Sequence, residues 1–200
     1  MIVLVGGYFA IFSGKKENEK PVAKQEKQPR LAISKNPDAF NTPFTNMLNE
    51  YYIVKDALIN WDSAKAGNEA QTLNRLALQL PLNLIKGDSS IIITAKNFAG
   101  AMASESEKLS VAKTIEEKRR AFSTVTDNLY SLINTVRYDK EVIYYDMCPM
   151  AFNEEEQAYW LSRDSSISNP YLGNKHPKYK GSMVTCGSVE QTVNYANAKK

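Results

Sequence analysis

Four stretches between Phe44 and Val136 set their apolar residues three and four positions apart, and that spacing decides most of what the chain can fold into. In the first, the series is Phe44, Met47, Tyr51, Val54, Leu58 and Trp61. A period near 3.6 gathers such residues on one face of a helix. Thr42 before Pro43 offers a cap followed by proline at the first helical position, so this helix is expected to open near Asn41. The second stripe is Ala66, Ala70, Leu73, Ala77 and Leu80, opened by the capping chemistry of Asp62-Ser63 and stopped by Pro81. Gly87-Asp88-Ser89 marks a turn and a new cap, and the third stripe follows as Ile92, Ala95, Ala99, Met102 and Leu109. Thr114 with Glu117 three residues on is a capping-box signature ahead of the fourth stripe, Phe122, Val125, Leu129, Leu132 and Val136.

Each stripe needs a partner to cover it, and short connections make neighbouring helices antiparallel. The expected fold is therefore mainly α: an up-down four-helix bundle over about residues 41–138, with a small β-containing appendage after it. There is no Glu-x-x-His pair, which excludes a di-iron bundle. Met47 and Met102 fall on the stripes and read as core filler.

The flanks differ in kind. Residues 1–13 begin MIVLVGGYFAIF, an apolar run shorter than the roughly 20 residues that span a bilayer. It reads as the remnant of a signal or anchor, which places the protein in the periplasm or cell envelope, tethered to the membrane through its N-terminal segment; a buried N-terminal strand is the alternative. Residues 14–40 are rich in Lys, Glu, Gln and Pro and read as a flexible charged linker, because such a composition buries too little surface to offset its ordering entropy. The folded domain is expected over 41–190, with a Cys/Met motif region at 139–190 and a tail at 191–200. Within the motif region, Glu141–Met147 is β-branched and aromatic and reads as a strand, and Met183–Cys186 reads as a second one between Gly181 and Gly187. Asn153–Ser162 reads as a helical turn.

A formal charge of +3 and the lack of any dense Lys/Arg stretch interleaved with aromatics exclude a nucleic-acid partner. The chemistry concentrates at the two cysteines. Cys148 sits in Met147-Cys148-Pro149-Met150 and Cys186 three residues after Met183, so each thiol has a thioether nearby. Thiolate and thioether ligands are soft and select Cu(I), with Zn a weaker candidate. In an extended segment Cys148 and Met150 point the same way. The single histidine, His176, lies between the two motifs and is a candidate fourth ligand. The alternative is a Cys148–Cys186 disulfide in a structural or interaction domain with no cofactor at all, since two cysteines in an exported protein commonly pair. No enzyme is expected: there is no G-x-S-x-G elbow, no orienting acid beside His176, and Glu154–Glu156 reads as solvated.

Taken together, Tyr144–Ala151 (YYDMCPMA), Ala158–Ser162 (AYWLS), Ile167 with Asn169-Pro170-Tyr171 and Gly173, and Met183 with Cys186-Gly187 resemble a family of small exported domains from Bacteroidetes. Ile115–Phe122 and Tyr51–Leu58 are similar to the helical part of the same family. That domain is also found appended to CusB-like adaptors of heavy-metal efflux pumps. The resemblance spans roughly residues 44–189. It implies a copper- or heavy-metal-linked periplasmic role without catalysis, efflux-pump components as partners, and Cys148, Met150, Met183 and Cys186 as ligands. It assigns Trp160, Asn169, Pro170, Tyr171 and Gly173 to shaping the loop between the two motifs. The departure from its pattern is the longer stretch Asn174–Gly181, which contains His176.

Overall fold

The structure, a computed structural model, describes residues 36–196; the apolar run 1–13 and nearly all of the expected linker lie outside the described residues. Four helices come first: α1 (Asp38–Ile59), α2 (Ser63–Leu78), α3 (Ser89–Val111) and α4 (Ile115–Val136), with a single 3-10 turn at Leu82–Leu84. Three strands follow, β1 (Ile143–Phe152), β2 (Glu156–Ser162) and β3 (Ser188–Val193), in one antiparallel sheet of order β2-β1-β3. This is the expected mainly α bundle with a β-containing appendage.

The stripes became the core. Every stripe residue is buried except Trp61 and Ile92, which are half-buried. Three caps form as read. The Asp62 carboxylate accepts from the Lys65 N–H at 2.9 Å, and Asp88 accepts from the N–H groups of Ser90 and Ile91 at 2.9 and 3.0 Å. The Thr114–Glu117 box is reciprocal: Glu117 N–H donates to Thr114 Oγ1 at 3.1 Å and Thr114 N–H to Glu117 Oε2 at 3.0 Å. Thr114→Ala should therefore cost about 1 kcal/mol and lower Tm by roughly 2–4 °C, while Thr114→Ser stays close to wild type. Thermal unfolding followed by circular dichroism checks this, and an unchanged Tm in the alanine variant would show the box to be dispensable.

The first helix departs from expectation. It opens at Asp38, with Pro37 in extended backbone before it, so Pro43 lies inside the helix rather than at its first position. Tertiary contacts draw the start upstream. Phe40 is fully buried against Phe44, and Asn36 donates to Val136 O at 2.7 Å while accepting from the Lys86 N–H at 2.9 Å. Pro43, the sixth residue of the helix, then forfeits one hydrogen bond, to Ala39 O, within the first two turns.

The appendage departs twice. Asn153–Ser162 is not a helical turn: β2 occupies its second half, and β1 reaches it through a tight hairpin in which Asn153 and Glu154 both have positive φ, 52° and 65°. They are the central residues of a turn closed by the Glu155 N–H to Phe152 O at 3.1 Å, and their left-handed backbone matches the twist of the two strands. Met183–Cys186 is not a strand either. Its N–H groups are satisfied locally, Val184 by Gly181 O and Cys186 by Met183 O, so the third strand begins only after Gly187.

One face of the sheet rests on the bundle. Tyr51 of α1 stacks on Phe122 of α4 at 5.0 Å, its hydroxyl bonds Thr126 at 2.7 Å, and it accepts from the Leu161 N–H of β2 at 3.0 Å. Tyr145 stacks between Tyr130 of α4 and Tyr159 of β2. Asp146, Cys148 and Trp160 are buried, and the chain from 163 to 187 packs over them.

Two adjacent residues of α4 tie this arrangement together. Lys118 Nζ donates to Leu109 O at 2.9 Å and to Ser110 O at 3.4 Å, closing the C-terminal end of α3. Arg119, fully buried, donates to Leu58 O at the end of α1 (3.1 Å) and to Pro170 O (2.8 Å), with its guanidinium 4.0 Å from the Trp61 ring centroid. Burial pulls its pKa down to about 10. Cations at helix C-termini complement the exposed carbonyl dipoles there.

Candidate metal centre

Cys148 projects from the middle of β1 and is fully buried. Cys186 lies in the turn before β3 and is half-buried. Pairing of β1 with β3 sets Met147 opposite Ser188, which carries Cys186 alongside Cys148. Both are free thiols, with their sulfurs 3.7 Å apart and within reach of an S–H···S contact. Burial, followed by the proximity of Cys148, pushes the Cys186 thiol up to about 11.

The turn that presents Cys186 is shaped by two residues. Asn169 uses both ends of its amide: Nδ2 donates to Cys186 O at 2.7 Å, and Oδ1 accepts from the N–H groups of Tyr171 and Leu172 at 2.8 and 3.0 Å. Its own N–H reaches Val184 O at 2.8 Å. Gly187 has φ +142°, and a Cβ there would meet Met147 O at 2.6 Å and the Trp160 ring at 2.8 Å. The close approach of the two chain segments thus depends on glycine. Further out, Trp61 Nε1 donates to Leu172 O at 2.9 Å, Asn174 N–H to Ile59 O at 2.9 Å, and the Tyr171 hydroxyl to Tyr159 O.

The remaining sequence candidates are placed as follows. Met150, two residues after Cys148, and Met183, three before Cys186, are half-buried and packed against the hydrophobic core. His176 stands apart from the thiols. Its ring meets Trp61 edge-on at 5.8 Å and stacks on Tyr179 at 4.9 Å, and its Nδ1 accepts from the N–H groups of Lys178 and Tyr179 at 3.2 and 3.3 Å. Burial, then the nearby Arg119, lowers its pKa. Among the described residues, no three or more His, Cys, Asp or Glu side chains gather as a metal-binding group. Any ion held here would have the two thiolates as its anionic ligands.

Sequence reasoning passed over a second polar region. A cleft of about 390 Å3 between α1 and the chain after β2 is lined by Tyr52, Lys55, Asp56, Ser162, Arg163 and Asp164, among others, and by neither cysteine. Lys55 reaches inward to Ser162 Oγ at 3.3 Å, and burial lowers its pKa. Behind it, burial raises the pKa of the fully buried Asp146, opposed by Ser162 and Lys55. Neither Lys55, which lies off the first helix's apolar stripe, nor Asp146, inside the expected strand, stood out in the sequence.

Residues 47–141 match the model of a family described as a protein of unknown function (DUF3347). The match takes in most of α1 and all of α2, α3 and α4, and ends before β1, so both cysteines lie outside it. No curated protein and no solved structure matches the chain. The match thus falls on the helical bundle, and the thiol pair belongs to the sheet packed on it.

Proposed function

We propose that Cys148 and Cys186 form a soft-metal site, for Cu(I) before Zn(II), in a non-catalytic, membrane-tethered module of the cell envelope that serves heavy-metal homeostasis or efflux. The observation that carries this reading is the pair of free thiols held 3.7 Å apart. Two metal–sulfur bonds of about 2.3 Å meeting at a tetrahedral angle span roughly 3.75 Å, so an ion would enter with little movement of either sulfur. Two thiolates and a thioether suit Cu(I), whereas structural zinc takes four nitrogen, sulfur or carboxylate ligands. Met150 and Met183 are the thioethers in reach by sequence. His176 would join only if the stretch 174–181 were rearranged, because its ring is held against Trp61 and Tyr179 and does not group with the thiols.

The same proximity favours a second reading, a structural disulfide. Closing the sulfurs from 3.7 Å to a bond of about 2.05 Å needs only a modest shift of the turn before β3. Anaerobic titration against a chromophoric Cu(I) chelator separates the two. The wild type should take up one equivalent of Cu(I), and Cys148→Ser and Cys186→Ser should each lose at least a hundredfold in affinity. Met47→Leu should match wild type, since Met47 is fully buried in the bundle, and His176→Ala should weaken binding by less than threefold. Unchanged affinity in both serine variants would sink the metal assignment. Loss of two protons in the intact mass of protein isolated under thiol-blocking conditions, with no Cu(I) uptake, would establish the disulfide instead.

A further inference from the structure

We infer that His176 is an acid-sensitive latch: as neutral imidazole it keeps the turn Pro177–Tyr179 closed, and as imidazolium it lets that turn go. The inference stands on the geometry of the loop 174–181 and asks nothing of the thiols. His176 and Lys180 face each other in an antiparallel bridge, with the His176 N–H to Lys180 O at 3.1 Å and the Lys180 N–H to His176 O at 2.7 Å. Between them, Pro177 has no N–H, and the N–H groups of Lys178 and Tyr179 both donate to His176 Nδ1, at 3.2 and 3.3 Å. An aspartate or asparagine holds a turn in the same way, and here the ring nitrogen takes the place of the side-chain oxygen.

A ring nitrogen can play that part only while it carries no proton. Neutral imidazole has one acceptor nitrogen and one donor, whereas imidazolium has two donors. A proton on Nδ1 would set an N–H against two backbone N–H groups, and turning the ring over would offer them a carbon instead. Trp61, beyond the end of α1, meets the ring edge-on, and Tyr179 stacks on it. Burial is the largest influence on its protonation and opposes it, and Arg119 of α4 opposes it next. Glu154 of the β1–β2 hairpin and Glu116 of α4 favour protonation, and Lys178 of the loop opposes it. Glu154 is itself paired with Lys178, and Asp62, next to Trp61, is engaged by the Lys65 N–H. The net effect holds His176 below its ordinary value of 6.5. The latch therefore contributes stability at and above that ordinary value, and the contribution is lost as pH falls through the lower, folded value. Its release reaches toward the thiol turn, because Tyr179 O accepts from both the N–H and the hydroxyl of Ser182, which precedes Met183.

The test is nuclear magnetic resonance on the untagged full chain, whose single histidine gives unambiguous ring signals. At about pH 7.5 the ring nitrogen shifts should place the proton on Nε2, and the ring should titrate below 6.5. Between about pH 7.5 and about pH 4.5 the exchange protection of the Lys178 and Tyr179 amides should fall at least tenfold, following the histidine titration. His176→Asn, whose Oδ1 can accept the same two bonds and takes up no proton in this range, should keep its protection throughout. Carboxylate titration is common to both chains, so the difference between them isolates the imidazole. His176→Phe, which keeps a ring beside Trp61 and offers no acceptor, should lack the protection at both pH values. Unchanged protection in the wild type once its ring has titrated would overturn the inference. So would an equal loss in the wild type and the asparagine variant, or full protection in the phenylalanine variant.

Discussion

Replacing Gly187 with alanine should lower Tm by roughly 6–12 °C and reduce Cu(I) affinity at least tenfold. Two costs combine. The backbone sits at φ +142°, a region that residues with a Cβ adopt only under strain of about 1–3 kcal/mol. The added methyl would also lie 2.6 Å from the Met147 carbonyl oxygen, which belongs to the central strand and has little freedom to withdraw. The sum is about 3 kcal/mol, and relaxation has to come from moving the turn that carries Cys186. The second effect follows from the first: as the turn lifts, the 3.7 Å thiol separation widens. Thermal unfolding and chelator competition on the same sample check both. A variant that loses stability yet binds Cu(I) as tightly as wild type would show that the thiols do not depend on this turn.

Arg119→Met should cost about 3 kcal/mol. The guanidinium donates two charge-assisted hydrogen bonds, each worth roughly 1.5–3 kcal/mol where the acceptor is otherwise unmet, and lies over the Trp61 ring. These terms are not additive, and methionine recovers some of the packing of the alkyl stem, which brings the net below their sum. Arg119→Lys should retain less than half of the loss-prone stability, because an ammonium cannot reach Leu58 O and Pro170 O in the same planar fork. Denaturant unfolding of the three proteins gives the ranking. If the methionine variant is as stable as wild type, Arg119 is not what joins the end of α1 to the segment after β2.

The bundle was legible because its information is local and repeated. Each stripe carries five or six apolar residues at helical spacing, and Asp62, Asp88 and Thr114 announce their helices by side chains suited to capping. The start of α1 was not legible, because what extends it to Asp38 is the burial of Phe40 and the bonding of Asn36 to residues fifty and a hundred positions away. β2 was hidden for a different reason. Glu154 at positive φ gives no advance sign of a hairpin, and the acidic run around it imitates a solvated helical turn. The cysteines were singled out by their neighbouring methionines. The two thiols do lie side by side, but they are brought together by β3 and the turn before it rather than by a strand at Met183–Cys186. His176 was a candidate only as the one histidine in the region, and nothing local indicated that Trp61 and Tyr179 would hold it away.

Arg119 also links the helical bundle to the position of the second thiol. Cys148 and Cys186 are 38 residues apart, and the turn that delivers Cys186 leans on Asn169, next to the Pro170 carbonyl that Arg119 holds. Arg119 in turn is aimed by α4 and finishes the end of α1. The place of the second thiol therefore depends on contacts made by two helices as well as on the sheet. The raised pKa of Cys186 keeps it largely protonated near neutral pH, so burial by this scaffold also slows its oxidation.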